Sequence, residues 1–427
     1  MNAGLFCNLL ILLKKLDIFV NPSLDSPLYL TGCADGHFLD VLKQIQEKLA
    51  ATAASFDASG TFPHDNMALL SQTGLLALVA ARPYGSQAGL GLARQAIAAV
   101  AFAEPATALV LTMTYLNHRQ LGRVDCRWPL SLRQQVLESA RTPMGSYHGL
   151  INALRVEPEL GSPARGGLPQ TVAVRDGDGW RISGRKIYST GSPALEWLAI
   201  WGRTDENPPR TGTFLIHRPT IEHGLQIIEN WNHLGLRASG SHEVVLTDVW
   251  IPKENAVDIR LPEEWSNGAS PTDLGANADQ QAWMVVLLGT LYDAVARAGY
   301  EWLKDFLRNR VPASLGYSLA TIPRIQEQVG EIEARLQTNC ILLDDAAHHT
   351  DKGAPPSTHA SGLLKYTVTG NAIEVLEIAL KITGNHGLSR NHPLERHYRD
   401  VLCSRIHTPQ NDSSLVAAGR EALLGGR

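Results

Sequence analysis

The sequence lacks the features that mark several classes of protein. Basic residues (38 Lys and Arg) nearly balance acidic residues (42 Asp and Glu), so the formal charge of −4 gives no overall attraction to nucleic acid or acidic membranes. A local basic groove is still compatible with that balance. No G-x-G-x-x-G follows a predicted strand, and Walker A and H-E-x-x-H motifs are absent. Phosphate-loop and zinc-protease chemistry are therefore not expected.

Cysteine is scarce and scattered. The five cysteines form no C-x-x-C pair, which predicts neither a disulfide framework nor a zinc site and favours a reducing cytoplasmic location. They are Cys7, Cys33, Cys126, Cys340 and Cys403. The apolar stretch at residues 5–13 is too short to span a bilayer and lacks the basic start of a secretory signal. Residues 1–30 are predicted to be an extra leader or the product of a misplaced start codon.

The composition of the 427-residue chain is globular, at 44% hydrophobic and 19% charged, which excludes disorder, collagen and a pure coiled coil. The hydrophobic period changes twice, which predicts an α+β protein. Its expected parts are an N-terminal helical domain, a small central β-domain, an exposed linker and a C-terminal helical domain. They cover residues 31–142, 143–258, 259–279 and 280–427. Strands and helices do not alternate, so a parallel Rossmann sheet is not expected.

The central zone carries the clearest local pattern. Residues 171–175 and 180–183 alternate on either side of two Asp-Gly pairs, which predicts a β-hairpin. Further short strands are predicted at residues 197–202, 212–217, 225–228 and 244–249. In the preceding zone, Pro105 is predicted to start or kink a helix.

Several strings resemble those of the acyl-CoA dehydrogenase superfamily of flavoproteins. Residues 180–191 resemble G-W-x-I-x-G-x-K-x-W-I-T-N-G, and residues 157–162 resemble the end of T-E-P-x-x-G-S, with Val156 in place of the threonine. The resemblance implies that Tyr188 and Thr190 border the flavin ring and that Ser162 lies in a flavin-contacting loop. A hydroxyl beside the ring tunes its electronics.

The C-terminal strings extend the resemblance to nearly the whole chain after about residue 35. The resemblance implies the fold of that family, with N-terminal helices, a central β-barrel-like domain and a C-terminal four-helix bundle. Arg308 and Gln326 stand where the family has R-x-x-F-G…Q, and Gly384, Asn385 and Gly387 stand where it has G-G-x-G. The resemblance implies that these residues bind the dinucleotide of FAD held by a neighbouring subunit, in a homotetramer. Residues 393–400 match P-x-E-R-x-Y-R-D, and this charged helix segment is expected to hold the site together.

The sequence departs from the dehydrogenases at their catalytic base. In the family, a glutamate eight residues after the aspartate of R-D removes the α-proton of the thioester, and here that position is Thr408. The alternative location, on an earlier helix, is filled by Ala282. Neither side chain is a base near neutral pH, so a dehydrogenase would have to use Asp412 or His407.

The string that contains His407 more closely resembles a second branch, the two-component flavin monooxygenases, several of which have R-x-W-R…H-D-P there. These enzymes take reduced flavin from a separate reductase and must control a proton on activated oxygen. The resemblance therefore implies His407 as the catalytic residue, with FAD as the cofactor and FMN as the alternative. Two other hypotheses stay open, a divergent acyl-thioester dehydrogenase and a non-catalytic flavin-fold protein. The expected substrate is a small molecule or an acyl thioester, and neither nucleic acid, membrane nor metal is expected.

Overall fold

The computed structural model describes residues 36–141, 149–160, 167–266 and 271–425. N-terminal helices precede one β-sheet, and further helices follow it, which confirms the predicted α+β class. The predicted leader at residues 1–30, as well as Ser162, lies outside the described residues.

The N-terminal part of the chain is helical. Its helices are α1 (Gly36–Ser59), α2 (His64–Gln72), α3 (Leu90–Ala103), α4 (Pro105–Gly122) and α5 (Leu130–Arg141). Helix α1 buries one face through Phe38, Leu42, Ile45 and Leu49, which recur at helical spacing.

Glu104 and Pro105 divide a long apolar run into α3 and α4. Pro105 occupies the first turn of α4, where its missing N–H costs nothing. The buried Glu104 carboxylate caps the helix by accepting hydrogen bonds from the Ala106 and Thr107 amides, at 3.2 and 2.6 Å. The prediction that Pro105 starts a helix is confirmed, and the charge inside the apolar run is explained by its capping role.

The central sheet has eight strands in the order β6-β7-β3-β2-β4-β5-β8, with β1 paired to β4. The strands are β1 (Leu150–Leu154), β2 (Val172–Asp176), β3 (Gly179–Ser189), β4 (Leu195–Thr204), β5 (Thr211–His217), β6 (Leu225–Ile228), β7 (His242–Pro252) and β8 (Ala256–Arg260). Strands β2 and β3 form the predicted hairpin, and Gly177 in its turn has a positive φ of 56°. The other predicted strands are present as β4 to β7, whereas β1 and β8 were not predicted.

The C-terminal helices are α6 (Pro262–Ser266), α7 (Pro271–Asn309), α8 (Pro323–Asp351), α9 (Thr358–Thr383), α10 (Asn385–Leu388), α11 (Leu394–Leu402) and α12 (Asn411–Leu424). The structure differs from the expected linker at residues 259–279, because α6 and the first turns of α7 lie there. Asp279 is buried and accepts hydrogen bonds from Arg123 at 2.7 Å and Arg119 at 3.2 Å. Pro262, one of the turn-type residues of that stretch, begins α6, and residues 267–270 lie outside the described residues.

Helix α7 is the centre of the molecule, since its apolar residues join the N-terminal helices to the C-terminal bundle in one core. Within the described ranges, no helix is long and apolar enough to cross a membrane. The same ranges contain no cluster of potential metal ligands.

His118 on α4 provides a test of this core. Both of its ring nitrogens are buried without a hydrogen-bond partner among the described residues, and burial lowers the pKa of His118 to about 4. The unfolded chain therefore binds one more proton than the folded chain between that pKa and the ordinary value near 6.5. His118→Leu should remove this difference in proton binding. When the pH is lowered from 7 to 5, the free energy of unfolding of the wild type should therefore fall by about 2 kcal/mol more than that of the variant.

Urea unfolding at the two pH values measures this difference. His348→Leu is the matched control because the His348 side chain is exposed on α8. An identical acid dependence of His118→Leu and the wild type would contradict the prediction.

Candidate functional site

Arg399 and Asp400, at the end of α11, join three parts of the chain. The Arg399 guanidinium donates to both Asp57 carboxylate oxygens on α1, at 2.9 and 2.6 Å, and to Glu395 at 2.7 Å. The buried Asp400 carboxylate accepts the Leu236 amide of the loop before β7 at 2.6 Å. Burial raises the pKa of Asp400 to about 7. This junction carries out the structural role expected for the R-D string.

The same loop continues into a chain of hydroxyl groups. Thr190 Oγ1 lies 2.9 Å from Ser241 Oγ, which lies 2.8 Å from Ser239 Oγ. Asn152 on β1 donates to the Thr190 carbonyl at 3.0 Å. The Thr190 hydroxyl, predicted to border the flavin ring, is therefore held in a fixed place by its neighbours.

Tyr188 lies two residues before Thr190 in an uncommon backbone conformation. Its φ is 57°, in the left-handed region, and its ring is 54% exposed. Edge-on contacts with Trp231 and His233, which stack on each other with ring centroids 3.7 Å apart, hold it there. Keeping a non-glycine residue in this backbone conformation costs about 1–3 kcal/mol, so the conformation persists only where surrounding contacts fix it. The exposed aromatic face is suited to bordering a planar ring.

A buried ion pair lies beneath the loop that follows β1. Lys186 Nζ donates to Glu157 Oε1 at 2.6 Å and to the Trp201 carbonyl at 2.5 Å. Burial lowers the pKa of Lys186 to about 8, which still leaves it protonated at neutral pH. Burial opposes ionisation of Glu157, but hydrogen bonds from Lys186 and Thr171 outweigh it and lower the pKa of Glu157. The pair ties the loop near Val156 to β3, on which Tyr188 lies.

His407 lies between α11 and α12, partly buried against the bundle. Its Nδ1 is 2.6 Å from the hydroxyl of Tyr292, a fully buried residue of α7. Burial lowers the pKa of His407 to about 4, and the nearby Lys365 ammonium contributes to this. Lys365 on α9 is itself fully buried and donates to Asn411 at 3.2 Å. His407 is therefore a neutral imidazole at pH 7, held by a phenol.

The polar groups around His407 and those of the sheet lie in one region. The Asp400 carboxylate, which binds the loop leading to Ser239, is also close enough to Tyr292 to raise the pKa of its phenol. Burial is the largest cause of that rise, so Tyr292 keeps its proton. The R-D junction thus brings the hydroxyl chain and the His407 pair towards each other.

The remaining predicted residues lie at the end of the bundle. Arg308 is exposed in the last turn of α7 and pairs with Asp305 at 3.6 Å, and Gln326 in the first turn of α8 donates to the Ala320 carbonyl at 3.0 Å. Gly384 ends α9 with a φ of 55°, and Asn385 and Gly387 form the short α10 that follows. A ring contact between Phe306 and His386 brings α10 to the end of α7.

Arg308 is distant from the residues that hold His407. It follows Tyr292 by sixteen residues on α7, which is about 24 Å along a helix. Arg308 is thus separated along α7 from Tyr292, which contacts His407. That Arg308 and the other predicted residues at the bundle end serve a flavin bound by a neighbouring subunit stays a prediction.

Sequence patterns missed Tyr292, Lys365 and the serine pair that holds Thr190. Tyr292 stands in an apolar stretch, and nothing local distinguishes it from a core aromatic. Lys365 did carry a signal, because it shares the buried face of α9 with Val368 and Ala372.

The residues on the ring side fit a flavin. Among the described residues, three buried hydroxyls close in sequence to this group have no hydrogen-bond partner: Ser189, Thr290 and Ser404. Buried polar groups are normally paired, so unpaired hydroxyls near the Thr190 hydroxyl chain and the exposed Tyr188 ring fit a polar ligand between the sheet and the helices.

Comparisons with known proteins match two parts of the chain to one family. The model of the acyl-CoA dehydrogenase C-terminal domain matches residues 289–411, and that of the acyl-CoA dehydrogenase middle domain matches residues 155–249. The putative acyl-CoA dehydrogenase YdbM of Bacillus subtilis is 28% identical over 400 residues, which are 93% of this chain and 99% of YdbM.

Two solved structures are similar over almost the whole chain. KijD3 in complex with dTDP is 25% identical, with a TM-score of 0.76 over 93% of this chain and 98% of KijD3. TdsC from Paenibacillus sp. A11-2, solved with FMN and indole, has a TM-score of 0.79 over 92% of this chain and 98% of TdsC. Since TdsC is only 19% identical, that likeness shows the fold alone.

The buried ion pair gives a test of how the loop near Val156 is held. Lys186→Met should lower the free energy of unfolding by about 3–5 kcal/mol, because it leaves the buried Glu157 carboxylate without its cation. Adding Glu157→Gln to Lys186→Met should restore part of that loss.

Urea denaturation measures both variants. Arg210→Met, which removes the exposed pair with Glu206, is the matched control and should cost less than about 1 kcal/mol. Equal stabilities of the single and double variants would show that the carboxylate is not left uncompensated.

Proposed function

The chain belongs to the acyl-CoA dehydrogenase superfamily, and from that premise we propose that it is a flavin-dependent oxidoreductase of the monooxygenase type. It would use reduced flavin and O2 to oxidise a small molecule. The observation that carries the proposal is the missing dehydrogenase base, together with the histidine held beside its position.

Neither position at which the family carries its base holds a carboxylate in this sequence. Thr408 is exposed, and Ala282 is a fully buried methyl group on α7. Asp412 is exposed in the first turn of α12, where its carboxylate accepts the Ser413 amide at 2.8 Å. The buried carboxylate of Asp400 is engaged with the Leu236 amide. Proton abstraction from a thioester would therefore need a rearrangement of these groups.

His407 is suited to holding a proton on one side of its ring. Tyr292 keeps its phenolic proton and can donate it to Nδ1 in the tautomer of His407 that carries its proton on Nε2. Nε2 can then donate a hydrogen bond to an oxygen atom, and the neighbouring Lys365 ammonium opposes a second proton on the ring. Tyr292 and Lys365 act in this proposal as positioning residues for His407.

The redox chemistry would come from the flavin when it is bound. Tyr188 and Thr190 would border its ring, and Ser162 would contact it from the loop. Arg308, Gln326, Gly384, Asn385 and Gly387 would bind the dinucleotide of a neighbouring subunit. That second group favours FAD over FMN, which is the cofactor in the TdsC structure. The partner in trans would be a flavin reductase, and the homotetramer and cytoplasmic location stay predictions.

A divergent dehydrogenase is the alternative function. It is favoured by the near full-length similarity to YdbM, described as a putative acyl-CoA dehydrogenase. A non-catalytic flavin-fold protein is the third hypothesis, and it predicts that the purified chain binds no flavin.

The deciding experiment loads the protein with reduced flavin without oxygen and then mixes it with O2. The monooxygenase proposal predicts a delay before the absorbance of oxidised flavin returns. Immediate return would contradict it. In a second arm, oxidised flavin is mixed anaerobically with acyl-CoA thioesters of different lengths. Bleaching there without a reductase would instead support the dehydrogenase.

His407→Gln should shorten that delay and speed hydrogen peroxide release by about tenfold or more, because general acid–base groups typically contribute at least about that much. Tyr292→Phe should also shorten the delay, but by less, because it keeps the imidazole of His407 and removes only the hydroxyl that holds Nδ1. The exposed His348→Gln is the control. If His407→Gln reoxidises as slowly as the wild type, His407 does not manage this proton.

A further inference from the structure

A basic cleft of about 510 Å³ opens beside the R-D junction. Small residues of α1 (Ala50, Ala54 and Ala58) leave it room on one side. The loop before β7, the loop before α11 and the first turns of α11 form its other walls. Sites for small molecules commonly occupy about 300–1,000 Å³, so the cleft can admit a ligand of nucleotide size.

The charge of this cleft contrasts with that of the whole chain. Its lining includes Arg237, Arg390, Arg396 and Arg399 but only two carboxylates, Asp57 and Glu395. With its histidines neutral, the lining therefore has a formal charge of +2, whereas the whole chain has −4. Both carboxylates bind Arg399, so among the described residues no carboxylate lies within ion-pair distance of the other three guanidinium groups, and only the buried Glu104 interacts electrostatically with Arg396.

These three guanidinium groups differ in how they are held. Arg237 is fixed by donating Nε to the Asp57 carbonyl at 2.8 Å. Arg396 has its Nε buried without a partner in the described part of the chain, a donor that a ligand oxygen could satisfy. Arg390 is exposed on the loop before α11. The cleft is thus lined by one arginine held by a hydrogen bond, one that is half-buried and one that is exposed.

Helix α11 adds to the positive potential. It begins at Leu394 after Pro393, which has no capping side chain, and both Pro393 and Arg396 line the cleft. Backbone N–H groups of a first helical turn favour an anion, and guanidinium groups hold two phosphate oxygens at once.

We propose that this cleft binds the phosphate groups of a small molecule, as a phosphate monoester or diphosphate whose charge offsets the three unpaired arginines. Carboxylates are a poorer match, since one carboxylate would leave positive charge uncompensated. None of the residues assigned to the flavin lines the cleft, although His233 of its lining contacts Tyr188 with ring centroids 5.7 Å apart. Phosphate binding here depends on the arginines of the cleft and does not require the proposed function to be correct.

Isothermal titration of the full chain with inorganic pyrophosphate tests the site. The wild type should bind it with a Kd below about 1 mM, and binding should weaken with added salt. Arg390→Gln and Arg396→Gln should each raise the Kd by about tenfold, as expected for loss of one charge-assisted contact. Because Arg390 is exposed, its variant should fold normally, which thermal unfolding checks.

Arg210→Gln is the matched control, because the Arg210 side chain is 39% exposed and does not line the cleft. Arg308→Gln tests whether the anion binds instead at the predicted flavin group at the bundle end. Absence of binding by the wild type, or wild-type binding by both Arg390→Gln and Arg396→Gln, would overturn the proposal. So would loss of binding in Arg308→Gln alone, which would place the anion at the flavin site. A parallel titration with ADP and with inorganic phosphate distinguishes a nucleotide, which should bind more tightly than pyrophosphate, from a free phosphate anion.

Discussion

The junction of Arg399 and Asp400 is the contact on which the geometry of the site depends. Two adjacent residues bind α1, the loop before β7 and their own helix, so a sheet and two sets of helices meet at one point. Charged groups are costly to bury, and here each finds a partner from a different segment. Hydrogen bonds and ion pairs with Asp57 and Glu395 raise the pKa of Arg399 despite its partial burial, so its charge persists at any ordinary pH.

This contact explains how a hydroxyl chain on a sheet and a histidine after a helix come to share one region. Asp400 fixes Leu236, the loop from Leu236 leads to Ser239 and Thr190, and α11 leads from Asp400 to His407. The long α7 carries Tyr292, whose hydroxyl contacts His407. The environment that results is apolar enough to keep His407 neutral, which suits a residue that holds one proton and exchanges it. A carboxylate at the position of Thr408 would create a different site, one in which a charged base faces the same space.

The distribution of the predicted flavin residues is informative in itself. Tyr292 beside His407 and Arg308 at the bundle end lie sixteen residues apart on α7, so under the proposed function one chain would present two incomplete halves of a dinucleotide site. Such halves would become complete only when chains associate, and oligomerisation would then be part of cofactor binding. The basic cleft contains none of these predicted residues, although His233 in its lining contacts Tyr188. The cleft is basic because both carboxylates in its lining, Asp57 and Glu395, bind Arg399, which leaves its other three arginines without an ion pair among the described residues.

The sequence by itself determined the order of helical and β segments, the hairpin around Gly177, the helix start at Pro105 and the missing dehydrogenase glutamate. These features are local, since each depends on residue period, on turn chemistry or on one position in a string. Two local inferences were incomplete: β1 and β8 are short strands without distinctive alternation, and the expected linker contains the start of α7. Only the tertiary structure decided that Tyr292 contacts His407, 115 residues away, and that Arg399 contacts Asp57, 342 residues away. Such pairs leave no period in the sequence, because a polar side chain buried by a distant partner has the same local surroundings as any other residue on its helix.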